Sequence, residues 1–185
     1  MMVYCISGKA GHGKDTFAEI LAKKLEEKDQ RVLVFHYADL LKWMCTKLFD
    51  WDGKKDEAGR HLLQYVGTNI IRNQRPDFWV DFVGDILELF PDEWDYVLIP
   101  DCRFPNEIER LRDRGFDVTH IRVIRDGFVS SMSESAKQHP SETALDDYPV
   151  DVTIHNDGTI EDLTNGVLVV NKEENVEEES NGNTD

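Results

Sequence analysis

The sequence predicts an α/β fold in which a doubly wound, mainly parallel sheet carries helices on both faces. Three observations predict it. Short β-rich runs alternate with amphipathic helical stretches along the chain. A glycine-rich loop joins the first strand to the first helix. The 185 residues, 40% of them hydrophobic and with no repeat or Pro/Gly/Ser linker, suffice for one well-packed core.

Val3-Tyr4-Cys5-Ile6-Ser7 reads as the first strand, and Gly8-Lys9-Ala10-Gly11-His12-Gly13-Lys14-Asp15-Thr16 follows it. Gly8, Gly13 and Lys14 have Walker A spacing, and 17–28 reads as an amphipathic helix. Glycines let backbone amides wrap phosphates; the helix N-terminus adds partial positive charge and Lys14 a full one. The bland alternative, a Gly-rich joining turn, leaves the lysine and the loop length unexplained.

A second strand is expected at 31–35, then a helix led in by Tyr37-Ala38-Asp39 and running through Leu48, with Asp39 as N-cap. A polar, turn-rich stretch occupies 51–59, and 61–72 and 76–90 carry apolar residues at helical spacing. These make a helical insert, about 39–90, able to enclose an acceptor. Tyr96-Val97-Leu98-Ile99 is the third strand, ending in Pro100-Asp101, followed by a helix at 106–114 and a strand at 118–124. The polar segment 126–149 reads as a lid, 152–154 as the last strand and 159–170 as a closing helix. One domain is expected over 1–170. From 171 to 185 one Lys faces five Glu and one Asp, which reads as a disordered acidic tail.

The formal net charge of −16 argues against sequence-independent nucleic-acid binding, because no basic stripe offsets it. Cys5, Cys45 and Cys102 form no CxxC pair, which points to a reducing compartment, the cytoplasm by default. The N-terminus enters a core strand with no basic targeting stretch, and no apolar run reaches the length of a membrane span. The expected partners are small phosphate compounds, without nucleic acid or membrane; a homodimer is compatible with the sequence.

The position after the loop lysine, usually Ser or Thr, is Asp15 here, with Thr16 behind it. A carboxylate about 4 to 5 Å from phosphate oxygens is repelled by about 3–4 kcal/mol at an effective dielectric of about 20 unless a divalent cation intervenes. Asp15 is therefore expected to face magnesium; the competing role is to complement the dipole of its own helix. Asp101 ends an apolar strand, where a Walker B carboxylate would stand, or a plain loop cap. Arg103, two residues on, suits a second phosphate in the same cleft. Arg125 opens the lid and suits the transferring group, Arg122 reads as a solvated strand end, and Arg72 is either a phosphate grip or a helix C-terminal charge.

His139-Pro140-Ser141-Glu142 lacks a nucleophile elbow and reads as a lid or substrate contact. His12, His36, His61, His120 and His155 show no metal-ligand spacing. Trp43, Trp51, Trp79 and Trp94 read as core, with Trp79 placed to flank a base. Asn156-Asp157-Gly158-Thr159 makes a turn and N-cap before the last helix.

Several of these segments resemble the deoxynucleoside monophosphate kinases of bacteriophages and related bacterial sequences, from Val3 to about Leu168. The likeness rests on the Gly-Lys-Asp-Thr end of the loop, Leu63-Gln64-Tyr65-Val66-Gly67-Thr68, Asp101 and Arg103 with Asn106-Glu107, Arg125, the 139–142 segment and Asn156-Asp157-Gly158-Thr159. It implies a P-loop NTPase fold of the nucleoside monophosphate kinase type, with ATP and Mg2+ phosphorylating a deoxynucleoside monophosphate in the cytoplasm, a host's cytoplasm for a viral chain. It implies that Gly8 to Thr16 bind the triphosphate, with Lys14 bridging the donor phosphates and acting catalytically with Asp15, Arg103 and Arg125. Asp15 and Asp101 would organise magnesium, and Asn156, Asp157 and Gly158 would lie beside adenine. The acceptor would meet Asp39, Gln64, Thr68, Arg72, Trp79, Asp101, Arg103, His139, Ser141 and Glu142. Animal-type phosphomevalonate kinases also resemble the chain through Gly-Lys-Asp, but leave the Leu-Gln-x-x-Gly-Thr and Asn-Asp-Gly-Thr stretches unexplained. A non-catalytic nucleotide-binding module, docking through its acidic tail, would not need Arg103 and Arg125 on a second phosphate.

Overall fold

The computed structural model of the chain describes residues 1–130, 132–167 and 170. Five parallel strands form one sheet: β1 Met2–Ser7, β2 Val32–Val34, β3 Tyr96–Ile99, β4 Asp117–Ile124 and β5 Val152–His155, in the order β2-β3-β1-β4-β5. The central β1 is apolar because neighbours flank it on both sides and helices cover both faces. Its side chains alternate: Tyr4 and Ile6 join the core beneath α1 (Lys14–Glu26) and the closing helix at 160–167, with Phe17, Leu21, Leu163 and Val167. Val3 and Cys5 face the opposite core, built from α2 (Tyr37–Leu48), α4 (Phe78–Leu89) and α5 (Pro105–Asp113) through Tyr37, Val83, Leu87, Ile108 and Leu111. Because β1 lies between β3 and β4, the chain changes direction around it. The loop after β1 and the end of β3 therefore open onto one crevice at the carboxyl ends of the strands.

The expected fold class is the one observed, with local differences that have physical causes. α1 begins at Lys14, three residues before the expected start, so the loop's lysine already stands in the first helical turn. β2 keeps three residues; Arg31, expected inside it, is bound instead by Asp95 through its amide and guanidinium. Asp39 is not the N-cap of α2, which starts two residues earlier at Tyr37. The carboxylate of Asp101 caps it from the end of β3, accepting from Tyr37 N and Ala38 N, each at 2.9 Å. Within the polar stretch at 51–59, Asp56 accepts from Gly59 N at 2.8 Å and starts α3 (Glu57–Gln64) earlier than expected. The second half of the expected 61–72 helix is a π-helix, Tyr65–Arg72. The polar segment after β4 holds two short helices, α6 (Glu134–Lys137) and α7 (Pro140–Thr143). The acidic tail from 171 lies outside the described residues.

Candidate active site

The loop between β1 and α1 is shaped for close backbone approach. Gly8 has φ 140°, and a Cβ there would collide with the carbonyl oxygen of Val123, so only glycine lets the loop lie against the end of β4. The Asn156 side chain donates to His12 O at 2.9 Å and braces the loop from behind. Lys14 is buried and its ammonium donates to Lys9 O at 3.0 Å, pointing back along the loop. Burial, with the guanidinium of Arg103 nearby, holds its pKa down to about 8. A buried ammonium so short of partners suits a site that awaits anionic oxygens.

The loop, the sheet edge, the helical stretch 39–90 and the polar segment 126–149 line an open cavity of about 390 Å³. The loop contributes Gly11, Lys14 and Asp15, the strand ends Asp101 and Arg103, and the lid Ser141 and Glu142. The insert contributes Gln64, Gly67, Thr68, Arg72 and Trp79. Thus two predicted groups, from segments far apart in the chain, meet in one space.

Two carboxylates hold the loop side. Asp15 does not cap its helix: the N-cap is Gly13, which has no side-chain cap, and Asp15 Oδ1 lies 3.0 Å from His36 Nε2. The His36 hydrogen bond is the main reason the Asp15 pKa is lowered; the same contact raises that of His36. Asp101 is spent chiefly on capping α2, the plainer of the two roles its position allowed. Burial pushes its pKa up, and its bonds to the amides of Ala38 and Tyr37 work against that. Among the described residues no cluster of three or more His, Cys, Asp or Glu side chains could hold a metal by itself. The fit for magnesium is narrower: one unengaged Asp15 oxygen and the remaining lone pairs of Asp101 line the cavity as hard oxygen donors, enough for an ion that keeps most of its waters.

Arg72 dominates the insert side. It lies 3.9 Å over the Phe104 ring, donates to Glu107 Oε1 at 2.5 Å and to Asn106 Oδ1 at 3.2 Å, and exposes only 12% of its side chain. Its Nε is buried with no hydrogen-bond partner among the described residues. Glu107, itself buried and raised in pKa by that burial, also accepts from Arg103 N at 2.6 Å and from Phe104 N at 3.0 Å, fixing both arginines relative to α5. Arg103 donates to Ser141 O at 3.0 Å and pairs with the Glu142 carboxylate. Lys9 donates to Glu142 O at 2.5 Å and pairs with Asp146, so the lid is fastened to both the loop and β3. The indole of Trp79 is buried, its N–H donating to Gly67 O at 3.1 Å inside the π-helix.

Other predicted residues stand elsewhere. Asp39 is outside the cavity lining and pairs with Lys42 at 2.8 Å. His139 caps α7 by accepting from Ser141 N at 3.2 Å, and its other nitrogen lies 3.5 Å from Asn69 Oδ1. Arg125, expected at the transferring group, is outside the cavity lining: its guanidinium lies 4.9 Å over the Phe128 ring, beside Gly158. Phe128 packs on Gly11, and the Arg125 guanidinium follows Phe128 rather than the cavity wall. Asn156 turns inward to the loop, Gly158 N donates to Asn156 Oδ1 at 3.0 Å, Asp157 is exposed, and the last helix is capped by Thr159 with Asp162. Missed by the sequence reading are His36, Lys42, Lys55 and Arg60, all lining the cavity. A basic residue in a polar run carries no local signal of this; Gly59, needed to bring Lys54 O close to α3, was the nearest hint.

A family model described as deoxynucleotide monophosphate kinase matches residues 50–167, a range that contains α3, the π-helix, α4, β3 to β5 and the segment 126–149 but neither the phosphate loop nor α2. Over 106 residues the chain is 35% identical to the deoxynucleotide monophosphate kinase of Enterobacteria phage T4, an alignment covering 56% of this chain and 41% of that protein. It therefore spans less than half the length of the phage relative. Over 155 residues it is 34% identical to the uncharacterized protein ORF77 of Ictalurid herpesvirus 1 (strain Auburn), covering 83% of this chain and 63% of that one. Among solved structures, the Mycobacterium tuberculosis APS kinase CysC in complex with AMPPNP and APS superposes with a TM-score of 0.55 at 15% identity, covering 92% of this chain and 97% of that one; the likeness is one of fold.

Proposed function

Because the chain belongs to the deoxynucleotide monophosphate kinase family, we propose that it transfers the γ-phosphoryl group of ATP to a deoxynucleoside monophosphate, in the cytoplasm. The observation that carries this reading is the pair of cationic side chains lining one cavity, Lys14 from the loop and Arg72 from the π-helix. A pure nucleotide switch needs only the first.

In this reading the phosphate loop holds the donor, the insert at 39–90 holds the acceptor and the segment 126–149 closes over them. An acceptor phosphate oxygen bonds to the γ-phosphorus as the bond to the β–γ bridging oxygen breaks, so no proton need be abstracted from a phosphate dianion. Lys14 and Arg103 offset charge on the oxygens in flight, while Arg72 fixes the acceptor phosphate. Asp15 and Asp101 would hold magnesium through its waters, where it would supply further charge neutralisation. Gln64 and Thr68 present uncommitted polar groups to the acceptor, and Arg125 with Gly158 lies at the base end of the donor. Arg103 exchanges its lid carboxylate for phosphate when substrates enter, coupling occupancy to lid position.

The test is diphosphate formation from ATP and Mg2+ with each dNMP and NMP in turn, phosphomevalonate as a competing acceptor, and acceptor-free hydrolysis as control. Turnover with at least one dNMP is expected. ATP binding with no transfer to any of them would refute the proposal.

A further inference from the structure

We propose that His36 is a positioning residue that sets the orientation of Asp15, so that one carboxylate oxygen is held and the other stays turned to the cavity. This rests on the reading above that Asp15 faces magnesium.

His36 ends the link from β2 to α2 in extended backbone, φ −112° and ψ 131°. The next two residues are pinned by Asp101, which takes both of their amides, so the imidazole is carried on a fixed stem rather than a free loop. Its Nε2 donates to Asp15 Oδ1 at 3.0 Å, while Nδ1 stands 3.6 Å from Asp39 Oδ2. The ring is three-quarters covered and lines the cavity. Asp15 Oδ2 has no hydrogen-bond partner among the described residues.

A short carboxylate in the first turn of a helix has two local alternatives, to bond back to the free amides of its own helix or to fold toward the neighbouring ammonium. Either would spend the oxygens. The cap position is Gly13 and Asp15 takes neither course; its hydrogen-bond partner among the described residues is an imidazole from a different segment, 21 residues on in the chain. That is the arrangement by which outer groups orient a carboxylate toward a cation, and loss of such a partner typically costs about 10–100-fold in metal affinity.

The test compares ADP binding by calorimetry, with excess Mg2+ and with EDTA, in the unaltered chain, His36→Leu, His36→Gln and Asp15→Asn. The expected result is that the gain in ADP affinity conferred by Mg2+ falls about tenfold in His36→Leu. Affinity in EDTA should stay within about twofold and thermal unfolding should not change, as befits removal of an outer partner only. Glutamine, whose amide nitrogen can occupy the place of Nε2, should restore the gain. An unchanged gain in His36→Leu, or equal losses with and without Mg2+, would overturn the inference. Asp15→Asn separates the layers: an unchanged gain there would remove the magnesium role of Asp15 and the inference with it. A lost gain there, with His36→Leu unaffected, would remove His36 alone. Neither readout requires turnover.

Discussion

Lys14 combines the two demands of a binding residue that must also fold. Its ammonium is buried with one carbonyl for a partner among the described residues, and the pKa of about 8 means that burial disfavours its charge by roughly 3 kcal/mol. Lys14→Met removes that penalty and the grip together. Transfer should fall to background while the melting temperature stays level or rises; near-normal turnover would refute the role. Arg72 makes the complementary case. Its guanidinium shares its Nη atoms among Glu107, Asn106 and a backbone carbonyl while stacking on Phe104, a planar fork that a lysine cannot reproduce. Arg72→Lys should raise the acceptor KM about tenfold or more, with ADP affinity unaltered; a parallel loss in ADP binding would place the damage in the fold instead. The loop residues were legible in the sequence because phosphate binding there is contiguous. His36 was not, since its significance lies in Asp15, to which only the juxtaposition of β2 and α1 brings it.

At the scale of elements, β1 was readable because Val3 and Cys5 serve one face and Tyr4 and Ile6 the other, a run apolar throughout. The π-helix was not. Over eight residues its apolar positions fit an α-helix equally well, and what distinguishes it is tertiary: Trp79 donating to Gly67 O, and Leu41 pressed where a Gly67 side chain would be. α3 starts earlier than its apolar spacing indicates because its cap, Asp56, sits in a polar run that resembles a loop. The place of Arg125 is equally a matter of tertiary packing, since its stacking on Phe128 is set by contacts that the polar sequence after it does not encode. The wider turn of the π-helix matters because Gly67, Thr68 and Arg72 all reach the cavity from it. Trp79→Phe keeps the ring packing but strands the Gly67 carbonyl. It should lower stability to urea by about 1–2 kcal/mol and raise the acceptor KM more than the ADP dissociation constant. Equal effects on both ligands would mean that the π-helix does not specifically shape the acceptor side.

At the scale of the whole molecule, the phosphate loop and the end of the lid segment are joined through the middle of the sheet. Ser7, the last residue of β1, bonds at 2.7 Å to Nε2 of the fully buried His120 on β4. Nδ1 of His120 donates at 2.7 Å to Pro149 O, where the lid segment enters β5. That carbonyl can only accept, so Nδ1 carries a proton; in the neutral ring, the form that burial favours, Nε2 accepts from the Ser7 hydroxyl. Burial lowers the His120 pKa from 6.5; the bond to Pro149 and the charge of Asp151 oppose this, and Arg122 and Arg112 reinforce it. With a folded pKa below the unfolded one, the unfolded chain binds the extra proton as pH falls through 6.5. Stability present above that pH is then lost on acidification, by up to about 1.4 kcal/mol per pH unit inside the window. His12 and His139, also lowered by burial, act in the same direction, and His36 in the opposite one. His120→Gln can keep one donor and one acceptor without titrating. Urea unfolding measured from pH 7.5 down to 5.5 should show a shallower loss of stability in that variant than in the unaltered chain. The same acidification should free the 126–149 segment at its β5 end, read as earlier proteolysis there in the unaltered chain than in the variant. Parallel stability curves would mean that His120 keeps its charge state on folding and that acid reaches the sheet by another route.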